Sequence, residues 1–244
     1  MIIALPPSEG KSEPDIAAEA HVSFPQLDEA RAQVAAALAA FGSSDAAAAA
    51  LKVGPKSRAD LAWNVSPGRA GFAYEIYSGV LFDAAQLRAA RPDRDVWIFS
   101  GKYGVVRPSD VIAPYRLPAG SKLPGLGILA SYWKPRLSAT LDEAARRDGL
   151  VVDCRSGPYQ RMWQVPAGVA HVSVQAVRER DGVRSIVSHM AKHYRGLLTH
   201  ELTTTRAKVA SIADVARIAK RTGLGVEVES RSADVAMLTL VIRD

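Results

Sequence analysis

The sequence predicts a single mixed α/β domain, with a mixed central sheet, flanking helices and a helix-hairpin-helix-like element within residues 28–65. Three observations carry that expectation. Short apolar runs at 1–5, 96–99 and 150–154 are rich in aliphatic, β-branched or aromatic residues, and each opens onto a polar loop. Segments with helical spacing at 28–41, 45–52, 80–90, 129–147, 188–204 and 211–222 separate them. Strand-like sequence stands at both ends, and no repeat, low-complexity linker or long charge block divides the chain, so residues 1–244 read as one domain.

Composition narrows the class. The 244 residues are 48% hydrophobic and 23% charged, without an eighteen-residue apolar run, which describes a soluble globular protein and no membrane span. The first five residues lack a basic leader and read as a buried strand, so cytoplasm is the expected compartment. One cysteine, Cys154, excludes an internal disulfide and a cysteine-based zinc site. Lysine and arginine outnumber acids 31 to 25, a net charge of +6 that is compatible with a nucleic-acid or nucleotide partner and equally with an ordinary basic enzyme.

The first strand leads into Pro6-Pro7-Ser8-Glu9-Gly10-Lys11-Ser12. Gly10-Lys11-Ser12 shares the end of a P-loop, but the upstream glycine is missing and Glu13-Pro14 breaks the helix that should follow. Ser8, Glu9 and Lys11 remain suited to one wall of a site. After two alanine-rich helices comes Leu51-Lys52-Val53-Gly54-Pro55-Lys56-Ser57-Arg58, the pattern of a helix-hairpin-helix turn. There Gly54 would expose backbone N–H groups to a DNA phosphate beside a helix N-terminus, and Lys56 and Arg58 would add contacts independent of base sequence. An ordinary loop between helices has the same composition. The aromatics of 72–81 read as core, and the helix at 80–90 ends at Arg91-Pro92.

The strand at 96–99 opens onto Ser100-Gly101-Lys102-Tyr103-Gly104-Val105-Val106-Arg107-Pro108, then Pro114-Tyr115-Arg116. Lys102, Arg107 and Arg116 leave a strand end with no acid nearer in sequence than Asp110, an arrangement by which α/β proteins hold anions. A basic surface turn is the plainer alternative. Pro135 sets a kink or a late start in the helix at 129–147. Asp153, at the end of the third strand, suits either a site or a pairing with Arg155, and Cys154 reads as core filler. A short helix at 158–163 follows. Residues 169–177 alternate as a strand, and Asp181-Gly182 turns it into a hairpin.

In the helix at 188–204, the wheel places Met190, Tyr194, Leu197 and Leu198 on the buried side, with Lys192 and Arg195 together at its flank. His189, His193 and His200 share the far side. They lack the glutamate and third ligand of a zinc motif, so no metal or other cofactor is expected. Residues 226–230 and 235–242 alternate as a closing hairpin.

Taken together, these blocks resemble the YaaA family, the bacterial peroxide-stress proteins. The match is Ser100-Gly101-x-Tyr103-Gly104-Val105-x-Arg107-Pro108-x-Asp110, then Pro114-Tyr115-Arg116-Leu117 and Gly120, with Tyr77-x-Gly79 and Ala191-Lys192-x-x-Arg195-Gly196-Leu197. It runs to about residue 205. The N-terminal loop departs from the family's serine-proline-alanine-lysine, and the last forty residues carry nothing across. The resemblance implies a positively charged cleft, a helix-hairpin-helix element, binding to double-stranded DNA, and a role in limiting oxidative DNA damage linked to lower free iron. Lys11, Tyr103, Arg107, Arg116, Lys192 and Arg195 would line the cleft, and Lys56 and Arg58 would belong to the hairpin.

Two functions stay open on the residues. One is DNA binding through phosphate contacts. The other is an enzyme on a nucleoside, nucleotide or nucleic-acid base, with Glu9, Tyr103 or Asp153 as catalytic groups and Lys102, Arg107 and Lys192 holding phosphate. An enclosed pocket joining a carboxylate to the cations favours chemistry, and an open basic groove favours binding.

Overall fold

The computed structural model describes residues 1–14, 17–19, 21–186 and 190–243. Eight strands form its main sheet: β1 (Ile2–Leu5), β2 (Asp95–Ser100), β3 (Gly104–Val106), β4 (Leu150–Asp153), β5 (Ala170–Arg180), β6 (Val183–Ile186), β7 (Gly225–Ser230) and β8 (Val235–Arg243). Their order is β7-β8-β5-β4-β1-β2-β3, with β6 added to β5. The five strands β8, β5, β4, β1 and β2 run parallel, while β3, β6 and β7 are antiparallel additions. The sheet is therefore mixed, as the sequence predicts.

β1 lies inside the sheet between β2 and β4, registered Ile3 to Val96 on one side and Ile3 to Val152 on the other. All four of its side chains are buried. A strand with no exposed face must be covered above and below, and an unbroken apolar run is the signature of that position. Trp97 and Phe99, two apart on β2, project to one face and meet Trp163, with ring centroids 5.6 and 5.9 Å away.

The helices are α1 (Asp28–Phe41), α2 (Asp45–Ala50), α3 (Val80–Ala85), α4 (Leu129–Asp148), α5 (Gly157–Gln160), α6 (Met190–Thr204) and α7 (Ile212–Ala219), with one-turn helices at Ala62–Val65 and Ala73–Ile76. Within α1, Arg31 is buried and ties the helix to the sheet edge by donating to the Ser23, Phe24, Tyr103 and Val105 carbonyls and to Asp28. α4 runs continuously through Pro135, without the late start that the proline suggested.

Several local readings are corrected. The helix expected over 80–90 is an α-helix only to Ala85; Gln86 turns left-handed at φ 45°, and Leu87–Ala89 is a 3-10 turn. The helix expected over 158–163 is the single turn Gly157–Gln160. On α6 the wheel is right for Leu198 and wrong for Met190, with Tyr194 and Leu197 half-buried. Met190 is 38% exposed, whereas Ala191, Gly196, Leu198, Thr199, Leu202 and Thr203 are buried. Small residues face inward there because α6 packs unusually close to α3. A Cβ on Gly196 would stand 2.3 Å from the Leu81 carbonyl oxygen, so the two backbones touch only because position 196 has no side chain.

The segment read as a helix-hairpin-helix also departs from expectation. Lys52 ends the preceding helix in a left-handed conformation, φ 54°. Gly54 is extended, with φ −72° and ψ 166°, and two 3-10 turns (Pro55–Ser57 and Ala59–Leu61) follow before the single α-turn. A long second helix, whose dipole the motif needs, does not form after Gly54.

A cationic hollow at the strand ends

A hollow of about 540 Å³ lies at the ends of the sheet's strands. Two of its walls are the loops that leave parallel strands: residues 6–10 after β1 and residues 156–159 after β4. That is the place where α/β sheets most often bind ligands, because neighbouring loops diverge at the carboxyl ends of the strands. Residues 78–82 at the start of α3, residues 50–52 behind α2, residues 116–121 and two side chains of α6 complete the lining.

Arg116, Lys192, Arg195 and Lys52 bring four cations to this lining, and Glu9 is its one carboxylate among the described residues. Arg116 is 7% exposed and rigidly held. Its backbone is clipped by Asn64, which accepts from Arg116 N–H at 2.8 Å and donates to Arg116 O at 2.9 Å. Its Nη1 donates to Glu9 O at 2.7 Å and its Nη2 to Glu9 Oε2 at 3.4 Å, while its buried Nε–H has no acceptor. Gly101 makes this placement possible, since a Cβ there would lie 2.3 Å from Leu117 O. Arg195 spends only Nε, on Val174 O at 3.1 Å. Lys192, Lys52 and Arg195 have no carboxylate partner among the described residues. The packing at Gly196 seats the helix that carries Lys192 and Arg195 directly against the one that carries Leu81 and Phe82, and all four residues line the hollow.

Lys11 is not on the lining but beneath it. Its Nζ donates to Ser8 O at 2.8 Å and Glu9 O at 3.2 Å, and stands 4.3 Å from the Tyr115 ring centre. Burial, and secondarily the Arg116 charge, push this amine down to about 7. Ser8 Oγ accepts from Ser78 N–H at 3.1 Å, joining the first loop to the start of α3. Lys102 is buried over Tyr103 and Tyr115, and burial lowers it to about 8. Tyr77, Tyr115 and Ser100 form a buried hydroxyl chain, 3.0 and 2.7 Å per link. Tyr159, on the wall, is pushed up to about 12 by burial, so its hydroxyl stays neutral and can only donate or accept hydrogen bonds.

Of the residues singled out in the sequence, the fold gathers Ser8, Glu9, Arg116, Lys192 and Arg195 on this lining, with Lys11 directly behind. It does not bring the others. Arg107 faces a different hollow and pairs with Asp95 at 3.0 Å. The β2–β3 hairpin, registered Ile98 to Val106, folds Arg107 back beside Asp95 at the start of β2, a partner that sequence distance concealed. The Tyr103 hydroxyl is occupied by the Ala113 backbone. Gly54, Lys56 and Arg58 lie off the lining, and Arg58 is paired with Asp45. Lys52, two residues before Gly54, reaches the hollow instead. Sequence reasoning passed over it because its signal is only a lysine at a helix end.

Asp153 is taken by Arg155, which donates Nε and Nη2 to it at 2.8 Å each. Arg155 holds its carboxyl below the usual range against the opposing effect of burial, so it cannot serve as a proton carrier near neutral pH. Of the two roles read for Asp153, the pairing is the one the geometry fills. His171 and Ser173 stand beside it, a serine–histidine–aspartate set in composition. The same His171 nitrogen, Nε2, faces both Asp153 (3.5 Å) and Ser173 (3.3 Å), which is not the relay arrangement of a triad. His189 lies outside the described residues. His193 meets the Tyr194 ring edge-on, and His200 Nδ1 sits 3.4 Å from Ala85 O. Burial pushes the Cys154 thiol up to about 12, in keeping with a core position.

Fold and hollow together define a mixed α/β protein with a cation-lined hollow at the carboxyl ends of its parallel strands. Comparison with known proteins carries this further. The family model for peroxide stress protein YaaA matches residues 1–229. A UPF0246 protein of Corynebacterium efficiens is 36% identical over 250 residues, spanning 99% of this chain and all of that relative. One from Streptomyces coelicolor is 36% identical over 244 residues, 94% of this chain and 93% of its own, and one from Corynebacterium glutamicum is 35% identical over 255 residues, 99% and 100%. The chain belongs to the YaaA (UPF0246) family of peroxide stress proteins. The match extends well beyond residue 205, where the resemblance in the sequence motifs stopped. No helix among the described residues is long and apolar enough to cross a membrane.

Proposed function

We propose that this chain is a cytoplasmic peroxide-stress protein that binds double-stranded DNA through phosphate contacts made around the hollow. The observation that carries the reading is that Arg116, Lys192, Arg195 and Lys52, from three separate segments, share one lining, on which Glu9 is the one carboxylate among the described residues. Lys192, Arg195 and Lys52, which have no carboxylate partner among the described residues, repel one another and Arg116 in the free protein, and a polyanion relieves that repulsion. Phosphate contacts hold any sequence alike. Lys56, close in sequence to the Lys52 rim, would extend the contacts without restoring the helix-hairpin-helix geometry. Family membership ties this binding to peroxide stress. The limiting of oxidative DNA damage and the link to free iron rest on the resemblance alone.

Gel shifts across a salt series test the reading. The observed association constant should fall with a log–log slope of about −0.9 per phosphate neutralised. An affinity that holds steady as salt rises would remove phosphate contacts as its basis.

One observation favours a second reading, an enzyme on a nucleoside, nucleotide or base: a single hollow joins Glu9 to the cations. Glu9 would be the acid or base, since Asp153 and Tyr103 are engaged elsewhere. Product analysis after incubation with nucleosides, nucleotides and damaged duplexes decides it, and the loss of any turnover in Glu9→Gln would assign the residue.

A further inference from the structure

The hollow has the wrong form for a duplex. Its 540 Å³ falls in the range of small-molecule sites, about 300–1,000 Å³, whereas a duplex is a rod that would lie across the mouth. We infer that the hollow takes a single nucleotide unit, one phosphate with its sugar and base, and that the rim cations hold the flanking DNA from which it comes. The inference rests on the DNA-binding reading for the source of that nucleotide.

Three features fit one such unit. The phosphate end is supplied by Arg116, Lys192 and Arg195, with the buried Nε–H of Arg116 still lacking an acceptor. Arginine's fork suits a phosphate's oxygens, and Arg116 is already immobilised by Asn64 and Glu9, so little side-chain freedom remains to be lost on binding. On the same lining, Pro7, Leu81, Phe82, Pro118, Pro158 and Tyr159 give apolar surface for a flat heteroaromatic ring. Glu9 supplies the third feature. Its carboxylate would oppose a second or third phosphate placed beside the first, but accepts hydrogen bonds from a sugar hydroxyl or the N–H edge of a base. A chain of phosphates would therefore be disfavoured and a mononucleotide unit accommodated. When the unit belongs to DNA it must leave the base stack, which costs least at a mismatch or a damaged position.

The test uses the full chain, a duplex carrying 2-aminopurine opposite a mismatch, and fluorescently labelled dAMP as the free nucleotide. At protein concentrations where a gel shift shows the duplex fully bound, 2-aminopurine fluorescence should rise severalfold as the base unstacks. Unlabelled dAMP should then lower that signal while the duplex stays shifted. Gly120→Trp, at a wall position where an added Cβ meets no atom within 4 Å, should abolish the rise and the binding of labelled dAMP. Should that variant fail to fold, the dAMP competition decides alone.

Labelled dAMP bound by the wild type but not by Gly120→Trp, with no duplex shift, supports the nucleotide site with free nucleotide as its source and removes the DNA-binding reading. A shifted duplex with no fluorescence rise and no dAMP binding leaves DNA binding standing and overturns the nucleotide site. A rise that dAMP cannot lower and that persists in Gly120→Trp places the unstacked base elsewhere, and also overturns it.

Discussion

Two hollows of similar size differ in what their cations are doing. The one at the strand ends holds about 540 Å³ and is lined by Arg116, Lys192, Arg195 and Lys52 against Glu9. The other holds about 590 Å³ and is lined by as many cations, all of them arginines: Arg88, Arg91, Arg94 and Arg107. In the second, Arg107 is paired with Asp95, Arg91 with Asp93 and Arg88 with Glu75, while Arg94 donates to the Thr205 and Ala207 carbonyls and lies 3.5 Å from Asp93. Counting basic residues would rank the two alike. Only the first has cations whose charge is left over for a ligand, and it is also the one at the carboxyl ends of parallel strands.

The largest expected effect breaks or keeps that contrast directly. Replacing both Lys192 and Arg195 with alanine should weaken duplex binding about a hundredfold, roughly 2.7 kcal/mol. Replacing Arg91 and Arg107 together should change it less than about threefold, a shift under 1 kcal/mol. Matched gel shifts at one salt concentration read both, and equal losses would erase the distinction between the hollows. Next comes the packing that sets the first wall. Gly196→Ala drives a methyl into the Leu81 carbonyl, and a loss of about 1–3 kcal/mol in denaturant unfolding is expected, with weaker DNA binding as α6 moves outward. Wild-type stability in that variant would show that α6 and α3 have room to spare.

A third measurement sharpens the contrast through pH. Lys11, behind the first hollow, is lowered from 10.5 to about 7 in the fold. Between those values the unfolded chain binds the proton and the folded chain does not. The stability term for this group therefore rises as pH increases from about 7 to 10.5, by at most about 1.4 kcal/mol per pH unit. Lys11→Met should flatten that rise, so the difference between the two proteins should shrink or reverse towards pH 9 in urea melts. Parallel pH profiles would mean that the amine is solvated. The smallest effect is expected from Asp95→Asn, which frees Arg107 in the second hollow. Stability should fall by less than about 1 kcal/mol, and duplex affinity should rise no more than about twofold. A larger gain in gel shifts would make the second hollow part of the DNA surface.

Much of this was legible in the chain. The runs at 2–5, 95–100 and 150–153 form adjacent parallel strands because nothing polar interrupts them, and the loops after them carry the polar residues. Lys192 and Arg195 were correctly placed side by side, since three-residue spacing on a helix needs no tertiary information. The buried face of α6 was legible only in part, because the wheel weighs large apolar residues and here a glycine contact decides the orientation. The pairing of Arg107 was not legible. Asp95 lies twelve residues away and becomes its neighbour only through the hairpin register.

By itself the sequence determined the class of fold, the strand-end position of the polar loops and the family, because each follows from local pattern and from residue types in a fixed order. Which cations remain unpaired was decided only by the tertiary structure. Charge pairing depends on distances of a few ångströms between segments tens of residues apart, and those distances exist only once the sheet has closed around β1.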